Sequence, residues 1–346
     1  TPPGATEARL LSTDADAILT SSLRHGVLTE NCEIRDAGDD SWSVQSSDYV
    51  VLHREGQTLY LAARGYASRL QVGHRLQAAL GTPIATLTQL DTVSLEAPAL
   101  PKEIRQKVKA APAYDFWRLN KRKVARVTFT GEVPWQPGDS VYDLDAQGNG
   151  FVFRNNTVRS SGRILIKASG LIEGNRIEGA NSIMVHPEVK FPAAAGIERV
   201  IIRNNTLIDC HRSNNTDTHP AGVISVIALQ AKDSPRKAGT FGEILIENNT
   251  IEGGNGVGVA VTSAKTVTLR DNRFVRLHHL KPDPTGSAHG VDNSALVWFA
   301  RCDAVTLTGN TVVQPGPFLG QTISTGPDVG QVTGTLTAGA NATETR

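Results

Sequence analysis

Residues 153–180 read FRNNTVRSSGRILIKASGLIEGNRIEGA, and the reading of this stretch decides the fold. The same phrase occurs twice in it: apolar, polar, Asn, polar, apolar, then a Gly or polar turn. The two asparagines, Asn156 and Asn175, stand 19 residues apart. Related phrases surround Asn31, Asn205, Asn249, Asn272 and Asn310, and Asn249 and Asn272 are 23 residues apart. A period near 20 marks a solenoid. Between the asparagines lie short alternating runs such as RILIKAS and VGVAVTS, with no helical periodicity. Two or three short strands per repeat predict an all-β, right-handed parallel β-helix, since a leucine-rich repeat of this period needs more Leu. Asn suits the corner because it tolerates left-handed backbone, and its amide reaches the next coil. The N-x-[ST] matches here are expected to be coil turns rather than glycan acceptors.

Longer gaps between repeats predict insertions, which in solenoids fall on loops and often build the binding face. The pattern changes most between Val44 and about Asp145. There YVVLHREGQTLYLAAR and KVARVTFTGEV alternate without Asn turns, as in a small antiparallel barrel. The expected organisation is therefore residues 1–44 as coils, 45–145 as an inserted barrel-like domain, 146–317 as further coils, and 318–346 as a partly disordered end. The insert contains a locally basic segment, PKEIRQKVKAAPAYDFWRLNKRKVAR, expected to be a solvated surface.

Composition agrees with a turn-rich β protein, with 32 Gly, one Met and 5% aromatic residues in 346. A net charge of +1 gives no general attraction to nucleic acid or membrane. No apolar run is long enough to span a bilayer. Cys32, Cys210 and Cys302 fit neither a disulfide framework nor metal spacing, so buried thiols are expected. The chain begins at Thr1, so a further N-terminal piece is expected to lie outside this sequence, and the expected location is secreted or periplasmic.

The chemistry is carried by acids. Asp16 lies in DADAIL, and Asp39 and Asp40 lie one coil later, before SWSV. Equivalent positions of stacked coils are about 4.8 Å apart, so the three carboxylates should meet. Like charges raise at least one pKa, the condition for an acid and a base in glycoside hydrolysis. Solvated turn acids, or acids holding a cation, are the alternative. Asp14, two residues before Asp16, is expected on the same strand face and could be the acid instead.

The pattern DADAIL…NCEIRDAGDD, a barrel-like insert and then FVFRNNTVRSSGRILIKASGLIEGNRIEGANSIMVHPE resembles glycoside hydrolase family 110 over about residues 12–210. That resemblance implies an inverting exo-α-galactosidase on a β-helix interrupted by barrels, with Asp16 as general acid and Asp39 and Asp40 holding the water. Polygalacturonase-type β-helices have a comparable Asp and Asp-Asp. After the acid pair this chain reads DDSWSVQSS, where the α-galactosidases have an Asn-Val-His-Gly-like run.

Aligning the repeats on Asn156 and Asn175 sets Lys167 level with His186. Alternation puts Ile164 and Ile166 inside the coil and Arg163, Leu165 and Lys167 outside, an exposed row that could clamp sugar hydroxyls or a carboxylate. His186 and Glu188, and His211 with Asp217 and His219, lie in insertions expected to rim a pocket. Trp42 and Trp298 are candidates for stacking on a sugar ring, or for packing against the insert. No cofactor or metal is expected, and the expected partner is an oligosaccharide or polysaccharide. The rival functions are a polysaccharide lyase acting on uronic acids through a Lys or His base, and a non-catalytic glycan-binding β-helix.

Overall fold

The computed structural model describes residues 11–45, 48–64, 69–94, 101–103, 105–106, 123–187, 196–211, 221–231, 234–254, 256–281 and 290–339. Three parallel sheets of eight strands each wind around one another. Every coil contributes one strand to each. In the coil quoted above, Phe151–Arg154 lies in one sheet, Thr157–Arg159 in the next and Ile164–Ile166 in the third. These strands pair in register with Gly170–Glu173, Arg176–Glu178 and Ile183–Val185 of the following coil. The inward side chains stack as continuous columns. Ile164, Ile183, Ile224 and Val259 form one such column and are fully buried.

The turn between the first two strands explains the repeated Asn. Two adjacent residues share the work that the sequence reading gave to one. Asn155, Gly174, Asn204, Asn248, Asp271 and Gly309 take the left-handed backbone, with φ from 51° to 66°. These are residue types that tolerate it. The next residue is the buried Asn. Asn156 donates from its backbone N–H and from Nδ2 to Asn175 Oδ1, at 2.9 and 3.1 Å, and Nδ2 also donates to the Thr29 carbonyl. The same triplet recurs at Asn175, Asn205, Asn249 and Asn272. Asn31 is not in this ladder. It holds the left-handed position, and Cys32 donates its N–H to Asn156 Oδ1 in the ladder place.

The insert follows Trp42–Gln45, at the turn leading from the third sheet back to the first. It is a closed six-stranded antiparallel barrel, built from Asp48–Glu55, Thr58–Arg64, Arg75–Gln77, Ile84–Ser94, Lys123–Thr130 and Ser140–Asp143. Closure removes the open edges an isolated small sheet would expose. The barrel has its own core around Tyr49, Leu59, Leu76, Phe129 and Val141. Most of the basic segment lies outside the described residues.

Past Pro317, where the sequence reading expected a partly disordered end, the β-helix continues through the described residues to 339. Gln321–Thr325, Gln331–Gly334 and Thr337–Ala338 add one more strand to each sheet. Thr- and Gly-rich strands pair there because parallel ladders use backbone groups, so few apolar side chains are required. The cysteines are free, with Cys210 and Cys302 buried and Cys32 half-buried.

Candidate functional site

The turn entering the third sheet carries the acids. Leu19–Ser21 pairs with Trp42–Gln45, Leu19 opposite Ser43, and the Ala17 N–H donates to the Asp40 carbonyl. This register sets Asp16 beside Asp40. One oxygen from each of Asp16, Asp39 and Asp40 lies within 4.8 Å of the others. Two glycines allow these turns to stack so closely. A Cβ on Gly38 would sit 2.6 Å from the Thr13 carbonyl oxygen, and one on Gly162 would sit 2.1 Å from that of Asp39. Ser41 Oγ donates to the Gly162 carbonyl and fixes the same turn from the other side.

The three acids differ sharply in environment. Asp39 is exposed, Asp16 is half-buried, and Asp40 is buried at 3%. Arg163 grips Asp40 with both arms of its guanidinium, Nε on Oδ1 at 2.6 Å and Nη2 on Oδ2 at 3.0 Å. Burial nevertheless pushes the Asp40 carboxyl up to about 7, with Arg163 opposing and the other two acids adding to the rise. Burial also raises Asp16, with Asp39 adding to it, while the Ser43 hydroxyl, donating to Asp16 Oδ2 at 3.0 Å, holds it down. The cluster could also ligate a divalent cation. Arg163 already binds both oxygens of Asp40, so a cation would compete with it there.

The other predicted site residues divide. Asp14 is exposed but lies in a bend before the strand, which begins at Leu19, so the same-face argument does not apply. Arg163 and Lys167 point outward as alternation requires, yet neither is exposed, at 8% and 0%. Arg163 therefore clamps Asp40 rather than a sugar, and Lys167 Nζ donates to Gln45 Oε1. The outer face of the third sheet is covered along much of its length. Leu165, Met184, Ala260 and Trp298 lie on it and are all buried.

His186 is indeed level with Lys167, but it is buried and its Nδ1 donates to the Ile227 carbonyl at 2.6 Å. Trp42 stands opposite Ile164, an inward position. It is fully buried between Phe151 and Phe153, with its Nε1 donating to Thr29 Oγ1. It is a core residue; the repeat alignment, counted from Asn31, would have set it level with Lys167 on the outside, because Cys32 and not Asn31 takes the ladder place. Trp298 packs with Ala221, Ile227 and Ala260. Neither indole is available to a sugar. Glu188, Asp217 and His219 lie outside the described residues. His211 is buried, which pushes its imidazole down to about 4.

A family model for the right-handed β-helix region matches residues 135–316, more than half of the chain. No curated protein matches it.

Proposed function

The chain belongs to the right-handed β-helix family, which is often carbohydrate-active, and on that premise we propose that it is a glycoside hydrolase. The observation that carries this reading is the graded carboxylate cluster, an exposed Asp39 against a half-buried Asp16 whose proton is held by burial. Asp16 protonates the leaving oxygen, and Asp39, open to solvent, assists the attack at the anomeric carbon. Asp40 sits behind them in the grip of Arg163. It acts as a positioning residue whose charge state biases Asp16, rather than as a second holder of the water.

Resemblance suggests an α-galactoside as substrate and inversion as outcome. Nearest oxygens within 4.8 Å fall short of the ~6.5–9.5 Å separation that accommodates a water between acid and base, so the spacing does not support inversion. The lyase reading needs an accessible base. Arg163, Lys167 and His186, its best candidates, are all buried in hydrogen bonds.

The test is a panel of aryl and oligosaccharide α- and β-glycosides, with product anomers followed by NMR. Turnover by the parent, reduced about 10²–10⁴-fold in Asp16→Asn, is the expected result. Release of an unsaturated, ultraviolet-absorbing sugar, or undiminished turnover in Asp16→Asn, would overturn the assignment. The first-formed anomer decides between inversion and retention.

A further inference from the structure

The sheet that holds Phe151–Arg154 keeps its outward side chains partly in solvent, unlike the third sheet, whose outer face is buried. Its strands run in register from Leu28–Glu30 through Gly170–Glu173, Ile197–Arg203 and Phe241–Glu247 to Ala264–Arg270. Each coil therefore repeats two outward positions. One column reads Leu28, Val152, Leu171, Ile201, Leu245 and Thr268; Leu28 is 54% exposed and the others are partly exposed. The column beside it reads Glu30, Arg154, Glu173, Arg203, Glu247 and Arg270. At about 4.8 Å per coil, each column is about 24 Å long.

A contiguous apolar ridge rimmed by charge marks an interaction surface. The charge column decides what fits it. Arg154 pairs with Glu30 and Arg203 with Glu173, each at 2.7 Å, and Arg203 and Arg270 both reach Glu247. The column is neutral as a whole, so a partner of high net charge gains nothing from it. Its signs alternate over an even number of coils, so reading it backwards exchanges every sign. A second copy laid face to face with its coil axis reversed sets Glu173 opposite the partner's Arg203. The same reversal sets Arg154 opposite the partner's Glu247 and Glu30 opposite the partner's Arg270.

The two-fold axis of such a pair lies along the strands, between the coils of Leu171 and Ile201. It keeps the apolar columns over each other, with Leu171 facing the partner's Ile201, Val152 the partner's Leu245 and Leu28 the partner's Thr268. A two-fold contact with parallel axes would instead set like charge on like. On the other flank Arg199 and Glu243 already pair at 2.8 Å.

We propose that this face binds a second copy of the chain in an antiparallel two-fold dimer, with the apolar columns at its centre. Such self-complementary contacts are the commonest in closed oligomers. Six coils and five residues of strand give a strip of about 29 by 16 Å, so the pair covers about 900 Å² or somewhat more, the size of a weak, reversible contact. The acid-bearing turn joins the other two sheets and lies away from this face. The inference is therefore independent of the hydrolase reading.

Sedimentation equilibrium from micromolar to sub-millimolar protein tests it. Parent, Ile201→Glu, Glu173→Arg and the double variant Glu173→Arg/Arg203→Glu would be compared, each checked for an unchanged melting transition. The parent should show a monomer–dimer equilibrium. Ile201→Glu and Glu173→Arg should each weaken it about tenfold or more, the second by setting a cation opposite the partner's Arg203. The double variant should restore it, because exchanging the two signs keeps every pair across the axis opposite. It also places like charges side by side within each copy, so a purely internal role for the column predicts no restoration. Oxidation of Leu28→Cys/Thr268→Cys reads the same contact without a charge change. Those positions are five coils, about 24 Å, apart in one copy, too far for an internal disulfide. A covalent dimer should form in this variant and not in the parent or either single variant. A parent that stays monomeric throughout, a dimer indifferent to Ile201→Glu and Glu173→Arg, no restoration, or cross-linking of Leu28→Cys alone would overturn the inference.

Discussion

Arg163 places two N–H groups on a carboxylate that its surroundings have almost entirely removed from water. Deleting the partner of such a group leaves a buried carboxyl without its two N–H donors, so it takes up a proton and Arg163→Met should cost about 1–3 kcal/mol in a denaturant titration. Asp40 also makes stability depend on pH. Its carboxyl titrates near 7 in the fold, against an ordinary value of 3.8, so the folded chain holds more protons between those values. The Asp40 contribution is then fully present below about 4 and is lost as pH rises through about 7. Asp40→Asn should remove that share of the pH dependence, which denaturant midpoints across the range would detect. At Asp16 burial raises the pKa, and Ser43, whose hydroxyl stabilises the carboxylate, opposes that rise. Ser43→Ala should raise the Asp16 pKa, moving the alkaline limb of the rate profile up by about 0.5–1 pH unit. An unmoved limb would show that Asp16 is not the acid. The meeting of Asp16 with Asp39 and Asp40 was legible from one coil period. Asp40's partner was not, because Arg163 lies 123 residues away, beyond the whole insert.

Repeating turns give the coil its rigidity, and their energetics are those of buried amides. Asn205 Oδ1 accepts from Asn175 N–H and Nδ2, while its own Nδ2 satisfies the Ile172 carbonyl. Asn205→Ala would orphan these groups inside the fold, an expected loss of about 2–5 kcal/mol measurable by thermal or chemical unfolding. A ladder of charge on partly solvated side chains, Glu30, Arg154, Glu173, Arg203, Glu247 and Arg270, alternates in sign along one sheet and should matter less. Gly162 belongs to the acid-bearing turn. Gly162→Ala puts a methyl onto the Asp39 carbonyl, so turnover should fall by about tenfold or more as the acids shift. Parent-like rates in that variant would mean that the turn's geometry is not critical. Strand phase was readable where alternation was applied within a strand, as for Ile164 and Ile166, but not at Asp14, which precedes its strand. Burial of the outward side was not, because alternation says which face a residue takes and nothing about what covers that face.

The barrel and the β-helix are two cores on one chain, joined where the insert leaves and rejoins the same turn. Asp48 and Tyr142 are register partners, so the insert's two ends lie side by side. Replacing residues 48–143 by a short Gly-Ser linker should leave a cooperatively folding β-helix, visible as a retained strand signal in circular dichroism. It should also open the cavity at the seam between barrel and β-helix to solvent, since Leu80 and Tyr142 leave with the barrel. By itself the sequence determined the solenoid, because period and alternation are local consequences of strand geometry and turn chemistry. It also determined the meeting of the three acids, because a fixed repeat converts sequence spacing into axial height. Tertiary structure alone decided which acid is buried, which cation neutralises it, that Trp42 fills the core, and where the barrel rests. Those outcomes depend on contacts between distant segments, whose geometry is set by how whole elements pack and not by any local period.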